Sequence, residues 1–550
     1  MKNKTIKITA LILSIIMIAS SISLTACQLN INFGTTTNNG ANNPDVPGEA
    51  VVDPIDDNYR TFYQIFVGSF SDANNDGIGD LQGIINRMDY LNDGDINSGN
   101  DLGVQGIWLS PIFSSPSYHK YDAKDYYSID WRFGNEDILK NLIDLCHERN
   151  VKIILDLVLN HTSDQHPWFQ EFKKARMAKD TSSKYYNFYS CVKAADKKGG
   201  VTYQQIPTVD CWYECNFSGG MPELNYDNAD VREAMLDVAR YYLNMGIDGF
   251  RFDAIKYIYF DSHTRSAAFW EWYMGVLREE YPDIYAIGEC WSGDSDVIKY
   301  YGSMNCFNFT MSSAEGKIAL AAKGNSNISG FTTYVVSHLN SIKGKNPDAM
   351  MIPFLSNHDQ DRIAGAFITE NNTKMAANLY LLCSGSPVIY YGEEIGIRGK
   401  RGDELTDANR RLAMLWGDGD FVRDPLGSCY PTEHQIKTTV ASQLEDPNSI
   451  RNHYARVIAI RHKYPAIARG DYSTISSSNK NFGGFLVSYE GEKLGILHNT
   501  SSSAISVDLS KCSGLNGHTF TQLCDFVGSG NATLTGTTLT IGAYTSVILK

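Results

Sequence analysis

Short apolar runs separated by longer stretches of helical spacing set the pattern of the chain from about residue 58 onward. The runs are TFYQIFV (61–67), GIWLSP (106–111), KIILDLV (152–158), IDGFRFDA (247–254), IYAIGECW (284–291), CFNFT (306–310), MIPFLSNH (351–358) and PVIYYGEEIG (387–396). They have the length and the β-branched or aromatic content of buried strands. Between them, segments such as VREAMLDVARYYLNMG (231–246) carry apolar residues at helical intervals and close on glycine. Eight strands in alternation with helices predict an α/β chain folded as a closed (β/α)8 barrel.

Two departures from the alternation predict further domains. Residues 161–229, after the third strand, contain Gly-Gly, Pro and several Tyr and Trp. That is too long for a plain connection, so an inserted subdomain is expected there. From residue 468 the helical spacing stops, and runs such as GFLVSY, KLGILHN, AISVDLS and TLTIGAYTSVILK predict a C-terminal all-β sandwich over 468–550. The barrel then spans 58–467.

The N-terminus changes the picture of location. Lys2, Lys4 and Lys7 precede an apolar run that ends in Leu24-Thr25-Ala26-Cys27. A basic start, an apolar middle and a small-residue end make a secretory leader. The last four residues resemble a bacterial lipobox, which implies a signal peptide over 1–26 and lipid attachment at Cys27. Residues 27–57, rich in Asn, Thr, Gly and Pro, read as a flexible tether. The protein is therefore expected outside the cytoplasm, lipid-anchored to the cell membrane or cell surface without spanning it. Export permits disulfides, and Cys191 with Cys211 or Cys215, and Cys512 with Cys524, are candidates by proximity in sequence. A net charge of −14 argues against a nucleic-acid partner.

The chemistry begins with a charge pattern. In GFRFDA, Arg251 and Asp253 lie two residues apart on a strand and so share a face. Charges are rarely buried unless paired or employed. In barrel enzymes the working residues sit where strands end. Asp253 ends the fourth run, Glu289 the fifth, and Asp359 follows the seventh, so three acids converge on one rim. Asn160 and His161 end the third.

With DLVLNH (156–161), GFRFDAIK (249–256), Glu289 in IGECW and FLSNHD (354–359) in order, the chain resembles glycoside hydrolase family 13, the α-amylase family. SYHKYDAKDYYSID, NHTSDQHPWF, MPELNYDN and YYGEEIG add to the likeness. The resemblance implies retaining hydrolysis of α-glucosidic bonds. Asp253 would be the nucleophile, Glu289 the acid/base, and Asp359 the third carboxylate, which holds sugar hydroxyls. Arg251 would lower the pKa of Asp253, and the apolar setting of Glu289 would raise its own. It further implies sugar contacts from His161, His358, His119 and Tyr121, from Asn357 in the SNHD motif, and from Lys256 on the leaving-group side.

SDANNDGIGD (71–80) places Asp72, Asn74, Asp76 and Asp80 at alternating positions, with the Ile78 carbonyl as a further oxygen. Such spacing suits a hard cation, and it resembles a structural Ca2+ loop of part of this family. The resemblance also implies a second calcium position with Asn160 among its ligands, where Tyr257 stands in place of the family's histidine. Lys256 and MPELN resemble members intermediate between oligo-1,6-glucosidases and neopullulanases. An endo-acting α-amylase on starch and maltooligosaccharides is the expectation. A neopullulanase or cyclomaltodextrinase activity, or 4-α-glucanotransfer, is the alternative, and a non-catalytic glycan-binding lipoprotein is a distant one.

Overall fold

The computed structural model describes residues 57–260, 262–324 and 326–550. The leader, Cys27 and the tether up to residue 56 lie outside the described residues. Among the described residues, no helix is long and apolar enough to cross a membrane.

Seven parallel strands form the barrel wall: Phe62–Ile65, Gly106–Leu109, Lys152–Leu157, Gly249–Phe252, Tyr285–Gly288, Asn305–Cys306 and Val388–Tyr390. The first six neighbour one another in chain order, and the last pairs with the first. The gap between the sixth and last strands is filled by the segment expected as the seventh strand. It makes only isolated parallel bridges, Phe307 to Ile352 and Phe354 to Val388. Pro353 explains the irregularity, since it has no N–H to give to a ladder. Its carbonyl still accepts from Val388 N at 3.0 Å, and the Ile352 carbonyl accepts from Asn308 N at 3.0 Å. The (β/α)8 barrel is thus closed, with one stave held by single bridges.

Phe62, Trp108, Ile154, Tyr285, Ile287, Phe307, Ile352 and Val388 pack inside the barrel. The helix expected at 231–246 spans Ala229–Met245. The Asn228 side chain accepts from Asp230 N at its start, and Gly246, at φ +110, ends it. A positive φ at that turn is what a side chain would resist.

Between the third and fourth strands lie the helix Pro167–Ala178 and a three-stranded sheet of Cys191–Val192, Trp212–Glu214 and Tyr203–Gln205. A Cys191–Cys211 disulfide closes this insertion. A bridge between His161 and Glu223 fastens it to the barrel rim. The Cys512–Cys524 alternative is not formed; the Cys512 thiol instead faces the Asp508 carbonyl at 4.0 Å.

After the barrel, a five-stranded antiparallel sheet (471–476, 482–489, 492–499, 545–549, 523–528 in spatial order) faces a three-stranded one (505–508, 538–541, 532–535). Alternation along the strands splits their side chains between two cores. Phe485, Val487, Ile496, Val527 and Ile548 join the main core with the barrel helices. Leu486, Leu497, Val547 and Leu549 meet Leu539 and Ile541 of the smaller sheet. Asn378, buried on a barrel helix, donates through Nδ2 to the Val527 carbonyl at 3.0 Å. Lys463 pairs with Asp525 at 3.0 Å.

Candidate active site

The third, fourth and fifth strands bring the first group of charges together. Asp156 and Arg251 are register partners, and Arg251 is fully buried. Its Nη1 donates to Asp253 Oδ1 at 2.7 Å and to Asp156 Oδ1 at 2.8 Å. Its Nη2 stands 3.7 Å from Glu289 Oε2. One guanidinium therefore touches three carboxylates. Backbone pairing continues beyond the strand ends, with Asp253 N donating to Leu157 O and Glu289 N to Phe252 O. Both acids are thereby fixed on the sheet's rim. Ala254 follows in the left-handed region at φ +49. This is a costly conformation for a residue with a Cβ, and it aims the Ala254 N–H at Glu289 Oε2, 2.8 Å away.

The second group hangs from the irregular stave. His358 is completely buried. Its Nδ1 lies 2.7 Å from Gln64 Nε2, and its Nε2 lies 2.6 Å from the Tyr121 hydroxyl and 3.1 Å from Asp359 Oδ2. The Tyr121 hydroxyl donates to Asp156 Oδ2 at 2.8 Å, which joins the two groups. The Tyr121 and His358 rings stack at 5.3 Å between centroids. Arg411 donates to Asp359 Oδ1 at 2.9 Å, to the His358 carbonyl at 3.0 Å and to the Tyr118 hydroxyl at 3.0 Å. Asn357 Oδ1 accepts from Asp359 N at 3.0 Å.

Burial dominates the electrostatics. It raises the Asp253 carboxyl; Arg251 opposes this without overcoming it, and Asp359 adds to the rise. Arg251 does lower the Asp253 pKa, as expected, but the expectation that it would leave the carboxyl more acidic than usual is corrected, because burial outweighs it. Glu289 is raised as expected, by burial first, with Arg251 opposing and Asp253 and Asp359 adding. Asp156 is pushed up by burial to about 7, against Arg251. At Asp359, burial pushes up, but His358, then Arg411 and Arg251, outweigh it and hold the carboxyl below the usual range.

The other sequence-predicted residues surround these groups. His161 is buried, and its Nε2 lacks a hydrogen-bond partner; burial lowers its pKa to about 4. His119 Nδ1 accepts from Tyr121 N at 3.1 Å and lies 3.1 Å from the Ser117 hydroxyl. Lys256 Nζ donates to the Trp291 carbonyl at 2.6 Å. The Asn160 carbonyl accepts from Leu224 N, and its Nδ2 lies 3.4 Å from His161 Nδ1.

In the loop 71–80 the side chains cap their own backbone. Asp72 accepts from Asn75 N and Gly77 N, Asp76 from Ile78 N, and Asp80 from Gly83 N. Among the described residues, no three His, Cys, Asp or Glu side chains are gathered as a metal site. The donor set is nevertheless all oxygen, the kind a hard cation takes. Asp80, raised first by burial, is raised further by Asp72 and Asp76.

Several residues of the site escape a reading of the motifs as catalytic acids and histidines alone. Asp156 carried the same signal as Arg251, a charge within an apolar strand run. Gln64, Trp108, which donates to Asp156 at 3.2 Å, and Arg411 are far in sequence from their partners and gave no local signal. Trp291 is 48% exposed and stacks on Phe309 at 4.9 Å. Phe217 is 45% exposed and packs between His161 and Tyr257. Each presents an aromatic surface beside a motif residue.

Residues 64–470 match the family model described as alpha amylase, catalytic domain. The chain belongs to the α-amylase family. Within it, the chain is 34% identical over 442 residues to the protein named Alpha-amylase 3 of Dictyoglomus thermophilum, covering 80% of this chain and 84% of that one. It is 28% identical over 447 residues to a 4-alpha-glucanotransferase of Thermotoga neapolitana, covering 80% and 95%. The solved structure titled Eubacterium rectale Amy13B superposes with a TM-score of 0.82 at 34% identity, covering 90% of this chain and 96% of that chain. The protein is thus an α-amylase-family glycoside hydrolase, and its relatives differ among themselves in the reaction they are named for.

Proposed function

We propose that the protein hydrolyses internal α-1,4-glucosidic bonds of starch and maltooligosaccharides with retention of configuration. The observation that carries this reading is the Arg251 guanidinium, which contacts Asp253 at 2.7 Å and stands 3.7 Å from Glu289. Retaining enzymes need two carboxyl groups close together, about 5–5.5 Å apart. A single guanidinium spanning both acids supports such an arrangement.

The mechanism needs one proton between the two acids, and burial raises both carboxyls. The closer contact of Arg251 with Asp253 favours the charge there and the proton on Glu289. Glu289 Oε2 already accepts from Ala254 N, so the proton belongs on Oε1. In the first step, an Asp253 oxygen bonds to the anomeric carbon as the glycosidic C–O bond breaks, and the leaving oxygen takes the Glu289 proton. In the second, water attacks that carbon while Glu289 takes its proton. The ester bond breaks and Asp253 regains its charge. Asp359, held by Arg411, with His358 and His161 beside it, holds sugar hydroxyls. Tyr121, His119, Asn357 and Lys256 complete the sugar contacts in this reading.

Calcium belongs to the reading as a structural ion, with Asp72, Asn74, Asp76, Asp80 and the Ile78 carbonyl as its holders. A second ion, with Asn160 among its holders, belongs to the same reading. Lipid attachment at Cys27 would keep the enzyme outside the cytoplasm on a membrane surface, with residues 58–467 as catalytic unit and about 161–229 as the insertion.

The relative named 4-alpha-glucanotransferase supports a second reading, in which a sugar hydroxyl replaces water in the second step. A time course of product lengths from amylose separates the two, with pullulan and a cyclomaltodextrin in parallel and Asp253→Ala as blank. Short oligosaccharides early from amylose alone fit the hydrolase. Products longer than the substrate indicate transfer, and panose or fast ring opening indicates a neopullulanase-like enzyme. Turnover by Asp253→Ala would overturn the mechanism.

A further inference from the structure

The geometry points to Gln64 as the positioning residue that keeps His358 neutral with its proton on Nε2. Gln64 lies on the first barrel strand, in register with Trp108 and Tyr390. It is fully buried and reaches His358 Nδ1 at 2.7 Å. The consequence for rate rests on the proposed sugar-binding role of His358 and Asp359; the protonation state itself does not.

The proton can be located by counting donors. A tyrosine hydroxyl has one hydrogen, and Tyr121 gives it to Asp156 Oδ2 at 2.8 Å. Its oxygen can then only accept from His358 Nε2, at 2.6 Å. Asp359 Oδ2, at 3.1 Å from the same nitrogen, is also an acceptor. Both neighbours require Nε2 to carry hydrogen. What remains is Nδ1, and the group facing it is Gln64.

An amide can present either its NH2 or its oxygen, so its orientation decides the charge of the ring. With the Gln64 NH2 donating, Nδ1 keeps its lone pair and His358 is neutral. With the amide reversed, Nδ1 would need a second proton, and the ring would become a buried cation. The charged and titratable groups facing it are Asp359, Tyr121, Arg411 and Arg251, with Asp156 behind Tyr121. Arg411 grips the His358 carbonyl at 3.0 Å. Burial lowers the imidazole pKa most; Asp359 opposes it, and the Arg411 and Arg251 guanidiniums add to the lowering. The donor orientation leaves Gln64 Oε1 buried without a partner. That unsatisfied atom is the cost of fixing the ring.

The arrangement gives Asp359 two distinct supports: a permanent charge from Arg411 and a neutral donor from His358. A neutral donor can turn from Asp359 and Tyr121 towards a sugar hydroxyl without separating an ion pair. An imidazolium could not.

Nitrogen NMR of the full chain, labelled with 15N-histidine and free of substrate, tests the proposal directly, with His358→Gln used to assign the signal. The expected result is an unprotonated Nδ1 and a protonated Nε2 throughout pH 5–8. A protonated Nδ1 in that range would overturn it, whatever the fate of the proposed glycosidase mechanism. A second arm uses Gln64→Glu, which keeps the shape but, once ionised, can only accept. Its carboxyl proton should pass to Nδ1, an exchange within the pair that leaves the proton count unchanged, so Nδ1 should be protonated where wild type is bare. The kcat should lie about tenfold below wild type across pH 5–8, with KM changing less. A kcat equal to wild type together with an unchanged nitrogen signature, in a variant that melts like wild type, would overturn the assignment to Gln64.

Discussion

Asp156 and Arg251 face each other in register on adjacent barrel strands, and both side chains are completely sealed from solvent. Arg251 is therefore not a partner for Asp253 alone. It is anchored from behind by Asp156, which also takes hydrogen bonds from Trp108 and Tyr121. The anchor sets where the guanidinium can reach.

Removing the anchor leaves a buried cation without its deepest partner. Asp156→Ala should cost about 3–5 kcal/mol of stability, the usual penalty for breaking a buried pair from one side. Asp156→Asn should cost less but lower kcat, because Arg251 is then free to close on Asp253. Thermal melts and steady-state kinetics on amylose would check both.

Glu289→Gln removes the proton donor while keeping the acceptor for Ala254 N. Amylose hydrolysis should fall by about 10²–10⁴. An α-glucosyl fluoride, whose leaving group needs no proton, should lose far less in the step that forms the covalent intermediate. Equal losses on the two substrates would argue against Glu289 as the acid.

Trp291 stands two residues beyond Glu289 with its ring half exposed. Trp291→Ala should raise KM for amylose about three- to tenfold, equivalent to about 1 kcal/mol of lost stacking. The kcat should change little. A change confined to kcat would place the ring in the chemistry rather than in binding.

Glu393 offers a pH test away from the site. It is buried among Tyr380, Tyr454 and Ser356, and burial pushes its pKa up to about 7. A raised carboxyl binds its proton more tightly in the folded state. Its contribution is complete below the unfolded value, near 4.5, and is lost as pH rises through about 7. Wild-type stability should therefore decline over that interval by up to about 3 kcal/mol from this group. Glu393→Gln should flatten that part of the slope in melts from pH 4 to 8.

Calcium should raise the melting temperature and a chelator lower it, with Asp76→Ala removing most of the difference. Asp76 is the acid to change because it is exposed and serves the loop with one backbone hydrogen bond, to Ile78 N. A chelator without effect on wild type would remove calcium from the proposal.

The barrel was readable because its strands are apolar runs of the right length in a repeating order, and the rim acids because they end those runs. The stave at 351–354 looked as regular as the others, yet Pro353 limits it to single bridges. The pKa of Asp253 was misjudged because a motif shows which cation is near but not how deeply the fold buries the acid. Gln64 and Arg411 were invisible for a related reason: His358 lies 294 residues from Gln64, and Asp359 lies 52 from Arg411. Local pattern cannot encode such meetings; the closure of the barrel makes them. The candidate disulfides followed chain proximity, which left Cys191 open to Cys211 or Cys215, of which Cys211 is the partner, and misled for Cys512–Cys524.

The inward face of the C-terminal sheet is part of the same core as the barrel helices, and Asn378 spends its buried amide on Val527. A truncated protein ending near residue 467 would therefore not be a minimal enzyme. It would carry an uncovered apolar wall where Phe485, Val487, Ile496 and Ile548 had lain, and expression of that fragment should yield aggregate. For anyone engineering this scaffold, the last eighty residues are part of the catalytic unit's foundation and not an appendage to be trimmed or exchanged.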